Sequence, residues 1–318
     1  MIKTADWQGT PVYTMENDDL YVSLCPSIGN NVYRIWDKKK EREVLRVPAN
    51  PQELLNSPAH FGTPVLMPPN RIHKGAFRFG NRDYQFEINM PTGHHIHGLI
   101  KASPWTVSDT SENGAQLSIT STIALSDFPE IQKQYPHDLV LEMTYVLEGK
   151  SLVQKLKATN RGGEDAPFGY GLHTWFMIDG QPDQWKLKLP TENIWELNED
   201  LMPTGQLLPL GEHQDMVSET GAVLQGKNLD TVFRIGNQPG TAVLTRNDGY
   251  RIHYEISKEF KHWVIFTKGQ ADQFVCLEPY TWVTNAPNLP LSPELTGLRG
   301  LAPQESLQLE VALKIIHP

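Results

Sequence analysis

The stretch Ala242-Val243-Leu244-Thr245-Arg246-Asn247-Asp248-Gly249-Tyr250-Arg251-Ile252-His253-Tyr254-Glu255-Ile256 decides the fold class. Apolar side chains fall on every second residue, at Ala242 and Leu244 and again at Tyr250, Ile252, Tyr254 and Ile256. That period sends one face of a strand into a core and the other toward water, whereas a helix repeats every three to four residues. The Asn-Asp-Gly between the two runs suits the positive backbone angles of a tight hairpin. The stretch reads as two antiparallel strands.

The same pattern recurs along the chain. Residues 76–79 and 84–88 alternate on either side of Gly80-Asn81-Arg82-Asp83 and read as another hairpin. Further strands are predicted at 21–25, 31–36, 116–123, 139–147, 152–158, 263–267, 274–277 and 307–315. Helical signals are sparse; the best is Asn50-Pro51-Gln52-Glu53-Leu54-Leu55, with Asn50 as cap and Pro51 in the first turn. Turn residues are spread evenly, 24 Gly and 24 Pro, so no segment stands out as a linker. The expectation is an all-β chain of stacked, mainly antiparallel sheets forming a single domain over residues 1–318.

Bulk properties narrow the function classes. A formal charge of −9 argues against nucleic acid, whose phosphates need clustered Lys and Arg. The one basic run, Lys38-Lys39-Lys40, is followed by Glu41 and reads as a charged turn. No apolar stretch approaches the ~18 residues that a membrane span needs, and the first ten residues lack the apolar run of a signal peptide. The expected location is therefore cytoplasmic, without a membrane partner. Two cysteines, Cys25 and Cys276, are too few for a disulfide framework and read as free thiols.

Chemistry concentrates in a few places. In His94-His95-Ile96-His97-Gly98, a strand would point His95 and His97 to one face, as in a metal-holding pair of the cupin kind. Residues 99–105 supply no third ligand, and His94 reads as a solvated histidine. His173 stands in the aromatic run Tyr170-Gly171-Leu172-His173-Thr174-Trp175-Phe176. It is either a hydrogen-bonded core residue or a proton-transfer group in a lined pocket; burial favours its neutral form and a nearby carboxylate its charged form. Glu278 follows an apolar strand, and Pro279 is expected to end the pairing there. Tyr280 and Trp282 flank it and could offer aromatic faces to the C–H face of a sugar. Arg71, in Pro68-Pro69-Asn70-Arg71-Ile72, is a surface cation or a planar donor fork for ring and hydroxyl oxygens. Asp230 begins a strand-like segment, an ordinary place for an acid. No nucleophile elbow, phosphate loop or dinucleotide fingerprint is present.

Taken together and in order, these pieces resemble the aldose 1-epimerase (galactose mutarotase-like) family over residues 20–315. The resemblance is carried by the segment from Phe61 to Phe77, with its Pro-Pro-Asn-Arg-Ile, by His97-Gly98, and by His173 followed by aromatics. Leu229-Asp230-Thr231-Val232-Phe233 and Glu278, ten residues before Asn288 in Asn-Ala-Pro-Asn, complete it. Three departures mark a divergent branch: Leu172 where the family usually has Asn, a shortened stretch after His97-Gly98, and Thr231-Val232 in place of His-Asn after Asp230.

The resemblance implies a β-supersandwich and an isomerase that interconverts the α and β anomers of an aldohexose or a derivative such as a 6-phosphate. It implies no cofactor and no metal. Glu278 would be the base and His173 the acid, while Arg71, His97, Asp230 and Asn70 would bind the monosaccharide. Two other classes remain open: a non-catalytic carbohydrate-binding protein using Tyr280 and Trp282 as a platform, and a cupin-like metal enzyme using His95 and His97. For the acid/base pair, an open wet cleft would let the carboxylate hold His173 protonated. The alkaline limb of a bell-shaped profile would then belong to His173 and the acid limb to Glu278.

Overall fold

The hairpin around Asn247-Asp248-Gly249 forms as its sequence dictates. Strands Thr241–Arg246 and Arg251–Ile256 pair antiparallel with Thr245 opposite Arg251. The Asp248 carboxylate accepts from the Tyr250 amide at 3.0 Å, closing the turn. A computed structural model describes residues 1–236, 240–270 and 273–318. The hairpin lies within a nine-stranded sheet, wholly antiparallel in its pairings. In spatial order its strands are Thr106–Asn113, Gln116–Ala124, Leu139–Glu148, Ser151–Asn160, Ser306–Ile316, Arg251–Ile256, Thr241–Arg246, Trp185–Lys188 and Ala222–Val223.

An eight-stranded sheet packs against it. Its main path runs Pro203–Leu208, Asn193–Leu197, Asp230–Arg234, His262–Phe266, Phe274–Tyr280, Gly171–Leu172 and Val65–Leu66, with Thr174–Met177 also paired to Phe274–Tyr280. Cross-strand register sorts its side chains into two faces. Leu277 lies opposite Thr174 and Ile265, and Val275 opposite Phe176. This set turns toward the nine-stranded sheet: the Phe176 and Tyr254 rings meet edge-on at 5.3 Å. Buried hydroxyls join the sheets too, Thr63 Oγ1 to Thr174 Oγ1 at 2.9 Å and Thr174 Oγ1 to the Tyr254 hydroxyl at 2.6 Å. A five-stranded meander, Ile2–Trp7, Thr10–Glu16, Leu20–Cys25, Asn31–Asp37 and Arg42–Glu43, adds Val22, Leu24 and Ile35 to the same core. The architecture is thus all-β with stacked antiparallel sheets, as expected.

Element by element, the predicted strands are present with ends moved by a few residues. The helix Pro51–Asn56 carries the expected cap, Asn50 accepting from the Glu53 amide at 2.9 Å. In the hairpin Ala76–Phe79/Arg82–Gln85 the turn is shorter than expected, because Arg82 and Asp83 already pair with Phe79 and Arg78. Both cysteines are free and buried. Among the described residues no helix is long and apolar enough to cross a membrane. Pro279 does not end its strand, which continues to Tyr280 and pairs with His262–Phe266 from Cys276 to Tyr280. On the other side Gly171 pairs with Tyr280 and Thr174 with Leu277, leaving the ladder interrupted between them. Pro279 lies in that interruption, where a missing N–H forfeits least.

Candidate active site

The second face of Phe274–Tyr280 carries Cys276, Glu278 and Tyr280, since side chains alternate along a strand. The registers Cys276–Trp175, Cys276–Phe266 and Asp230–Phe266 place those residues on the same face. His173, one residue before Thr174, therefore falls opposite Glu278. Its backbone amide donates to the Pro64 carbonyl at 3.1 Å, and its ring stacks on Trp175 at 5.0 Å. His173 Nε2 lies 3.2 Å from Glu278 Oε1.

The remaining residues come from loops and strand ends that converge on this pair. Asn70 has φ 56, a left-handed conformation that asparagine tolerates well. Its side-chain carbonyl oxygen accepts from the Arg71 amide at 2.8 Å and from Arg71 Nη1 at 3.0 Å. Arg71 Nη2 is then 3.9 Å from Asp230 Oδ2. His97 meets the His173 ring edge-on at 5.2 Å. It is set there by its own φ of 63 and by its amide donating to the Asn70 backbone carbonyl at 3.0 Å. Gly98 follows at φ 69, where a Cβ would collide with the Met67 carbonyl, so no other residue fits this crossing. All six residues singled out in the sequence, Asn70, Arg71, His97, His173, Asp230 and Glu278, thus gather in one place.

Several expectations need correction. The strand His95–Ile96 stops before His97, and the left-handed turn breaks the alternation that would have put both histidines on one face. His95 instead packs edge-on against Phe86 at 5.0 Å, its Nδ1 bonded to the Glu87 carbonyl at 2.9 Å. The paired-histidine metal reading loses its geometry. His94 is buried rather than solvated, with Nδ1 accepting from the Lys74 amide at 3.1 Å. Tyr280 and Trp282 are fully buried, so neither ring is an exposed platform for a sugar. What the sequence reading missed is the Tyr280 hydroxyl, which donates to Glu278 Oε2. The i, i+2 spacing of Glu278 and Tyr280 contains that signal once the strand is carried through Pro279.

Burial, not the charge partner, dominates the electrostatics. His173 is 6% exposed and Glu278 1% exposed, so the pair is not in an open wet cleft. Loss of solvent lowers the His173 imidazole to about 3. Desolvation raises the Glu278 carboxyl well above its ordinary range, against the Tyr280 hydrogen bond and Arg71, which pull it down. Both groups are thereby driven toward neutrality. His97 is likewise held neutral by burial, and desolvation raises Asp230 against the opposing charges of Arg71 and Lys268. With the acid/base roles implied by the resemblance, the limbs of a pH profile would therefore exchange owners: the pair holds one proton from about pH 3, set by His173, up to the raised value of Glu278.

Cys276 Sγ, His173 and Glu278 offer ligand atoms within 4.8 Å of one another. The 3.2 Å Glu278–His173 contact is also close enough for an acid/base pair, and the neighbours Arg71, Asn70 and Asp230 are hydrogen-bonding groups suited to a polyhydroxy compound.

Comparison with known proteins gives this fold its relatives. The structure superposes on a galactose mutarotase-like protein from Clostridium acetobutylicum with a TM-score of 0.94 and 26% identity, covering 100% of this chain and 99% of that one. The chain is 29% identical over 196 residues to the uncharacterized protein YihR of Escherichia coli K12, covering 61% of this chain and 60% of that protein. It is 26% identical over 163 residues to human galactose mutarotase, covering 49% of this chain and 44% of the enzyme. These two sequence matches span less than two thirds of either relative. A family profile described as aldose 1-epimerase matches residues 11–314. With the fold, the ordered motifs and the profile in agreement over nearly the whole chain, the protein belongs to the aldose 1-epimerase family.

Proposed function

We propose that this protein is a mutarotase, interconverting the α and β anomers of an aldohexose or a close derivative by acid/base ring opening and closure. The observation that carries the proposal is the buried contact of 3.2 Å between His173 Nε2 and Glu278 Oε1. Beside it lie a guanidinium and a second carboxylate, Arg71 and Asp230.

Ring opening needs one group to accept a proton and another to donate one. The Glu278 carboxylate takes the proton from the C1 hydroxyl, and the freed electron pair forms the C1=O1 bond. The bond from C1 to the ring oxygen breaks, and that oxygen takes a proton from imidazolium His173. Rotation about C1–C2 then presents the other face of the aldehyde. For closure, neutral His173 removes the proton from the former ring oxygen as it attacks C1, and protonated Glu278 returns a proton to O1. The ion-pair tautomer of this single-proton pair therefore goes with the cyclic sugar and the neutral tautomer with the open aldehyde, and closure restores the first. Burial disfavours separated charge and so favours the neutral tautomer, the one that forms as the ring opens.

Arg71, His97, Asp230 and Asn70 are assigned to binding: Arg71 as donor to ring and hydroxyl oxygens, Asp230 as acceptor from hydroxyls, His97 as a neutral partner, and Asn70 as the group orienting Arg71. Well-placed acid/base groups contribute ~10²- to 10⁴-fold each. Polarimetry of freshly dissolved α-glucose and α-galactose, extended to sugar 6-phosphates, tests the proposal. The expected result is loss of the optical-rotation difference faster than the uncatalysed background for at least one sugar. No acceleration across the panel would overturn it.

A further inference from the structure

Tyr280 touches Glu278 and has so far been given no part in the chemistry. Its ring is completely buried and lies across from Gly171 in the sheet. A Cβ on Gly171 would collide with a ring carbon of Tyr280, so the bare backbone there is what makes room for the ring. The hydroxyl then reaches Glu278 and donates to its Oε2.

The direction of this hydrogen bond follows from its partners. A phenol has one hydrogen to give and an ionised carboxylate can only accept, so the Tyr280 hydroxyl donates and Glu278 Oε2 receives. Phenylalanine would fill the same space over Gly171, so packing alone does not account for the hydroxyl.

We propose that Tyr280 is a positioning residue for the acid/base reaction: its hydroxyl fixes Oε2 of Glu278 and sustains the carboxylate that begins ring opening, leaving Oε1 to His173. This inference rests on the mutarotase reading and adds a residue to it. The electrostatics run the same way, since the Tyr280 hydrogen bond lowers a Glu278 carboxyl that burial has raised.

Tyr280→Phe removes the donor and keeps the ring. A hydrogen bond to a charged group corresponds to about a 10- to 100-fold change in an equilibrium or rate. The expected result is a fall in kcat of that size with KM changed by less than about threefold, the carboxylate tautomer being needed in the chemical step. Because the lost bond favoured the ionised form, the alkaline limb of kcat/KM should also move up, by about one pH unit or more. A folded Tyr280→Phe protein with kcat within about twofold of wild type, or with an unmoved alkaline limb, would overturn the proposal. Carbon-13 NMR of glutamate-labelled protein gives a readout without catalysis: the Glu278 carboxyl should titrate at higher pH in Tyr280→Phe than in wild type. If wild type shows no mutarotation, the functional reading fails, and this titration still decides Tyr280: equal midpoints reject its role, an upward shift supports it.

Discussion

Two strand regions of this molecule obey the same backbone rules and make opposite use of them. In Leu139–Glu148 every second side chain, Leu139, Leu141, Met143, Tyr145 and Leu147, is buried in the core, while Glu142 and Glu148 lie in water. In Phe274–Tyr280 every side chain is buried. One face, Val275 and Leu277, joins the core between the sheets, and the other, Cys276, Glu278 and Tyr280, is the floor of the candidate site. The first strand contributes to stability through apolar contact that any well-fitting side chain can supply. The second holds a carboxyl where burial opposes its charge, so part of its sequence favours chemistry over stability.

The sharpest way to break that comparison is Glu278→Gln. Glutamine keeps the shape and the hydrogen-bonding capacity but takes no proton, so mutarotation above the spontaneous background should fall at least ~100-fold with the fold retained. Near-normal turnover by the folded variant would remove Glu278 from the mechanism. The alkaline limb of kcat/KM should disappear with it, because above the raised Glu278 value the pair in wild type loses its only proton.

His173→Asn and His97→Asn sharpen the picture within the site. The first should lower kcat by ~100-fold while sugar binding survives. The second should weaken binding as well as turnover, its effect about tenfold, as expected of a positioning group. Isothermal titration with a non-reacting sugar analogue, beside steady-state kinetics, separates the two; an unchanged kcat in His173→Asn would move the acid role elsewhere.

A smaller effect concerns stability. Glu278 binds its proton more tightly in the folded than in the unfolded chain. Its protonation therefore favours folding fully below the unfolded value of ~4.3, and that contribution is lost as pH rises through the folded value. The glutamine of the Glu278→Gln variant does not titrate and suffers no such loss. The Tm of the variant should accordingly exceed that of wild type by more at about pH 8 than at about pH 5. Equal differences at both pH values would mean that Glu278 is not desolvated in solution. In the other region, Leu141→Met conserves volume and should cost less than ~1.5 kcal/mol with kcat unchanged, the least effect of the series.

The same contrast governs what could be read from the sequence. Six strands of the nine-stranded sheet were legible because they alternate and because Asn247-Asp248-Gly249 marks a turn, whereas Thr106–Asn113, Trp185–Lys188 and Ala222–Val223 were not read as strands. The order of the strands was not, since pairing such as Ser151–Asn160 with Ser306–Ile316 is a long-range choice made by the packed core. The six residues that gather at the candidate site stood out through their family-like order, although taken singly each had an ordinary explanation. The Tyr280 hydroxyl was hidden because a proline ordinarily ends a strand, and the interrupted ladder that admits Pro279 exists only in the folded sheet. The His95–His97 pair misled because a period-two argument presumes a continuous strand, whereas His97 turns left-handed. The protonation balance was misjudged because exposure is a property of the assembled loops and cannot be read from neighbouring residues.

The hydroxyl triad Thr63–Thr174–Tyr254 gives the fold a vertical reference point. Apolar layers can slide or be repacked by small steps, since each contact is replaceable by another of similar size. Hydroxyls that satisfy one another inside a core cannot, because removing one leaves another without a partner. Thr174 directly follows His173, so the triad fixes how deep the imidazole sits relative to the opposite sheet. Arg71 and Asp230, each the first residue of a strand, take no part in the triad. The triad thus anchors the floor of the candidate site to the opposite sheet, while the contacts that set its mouth are made elsewhere.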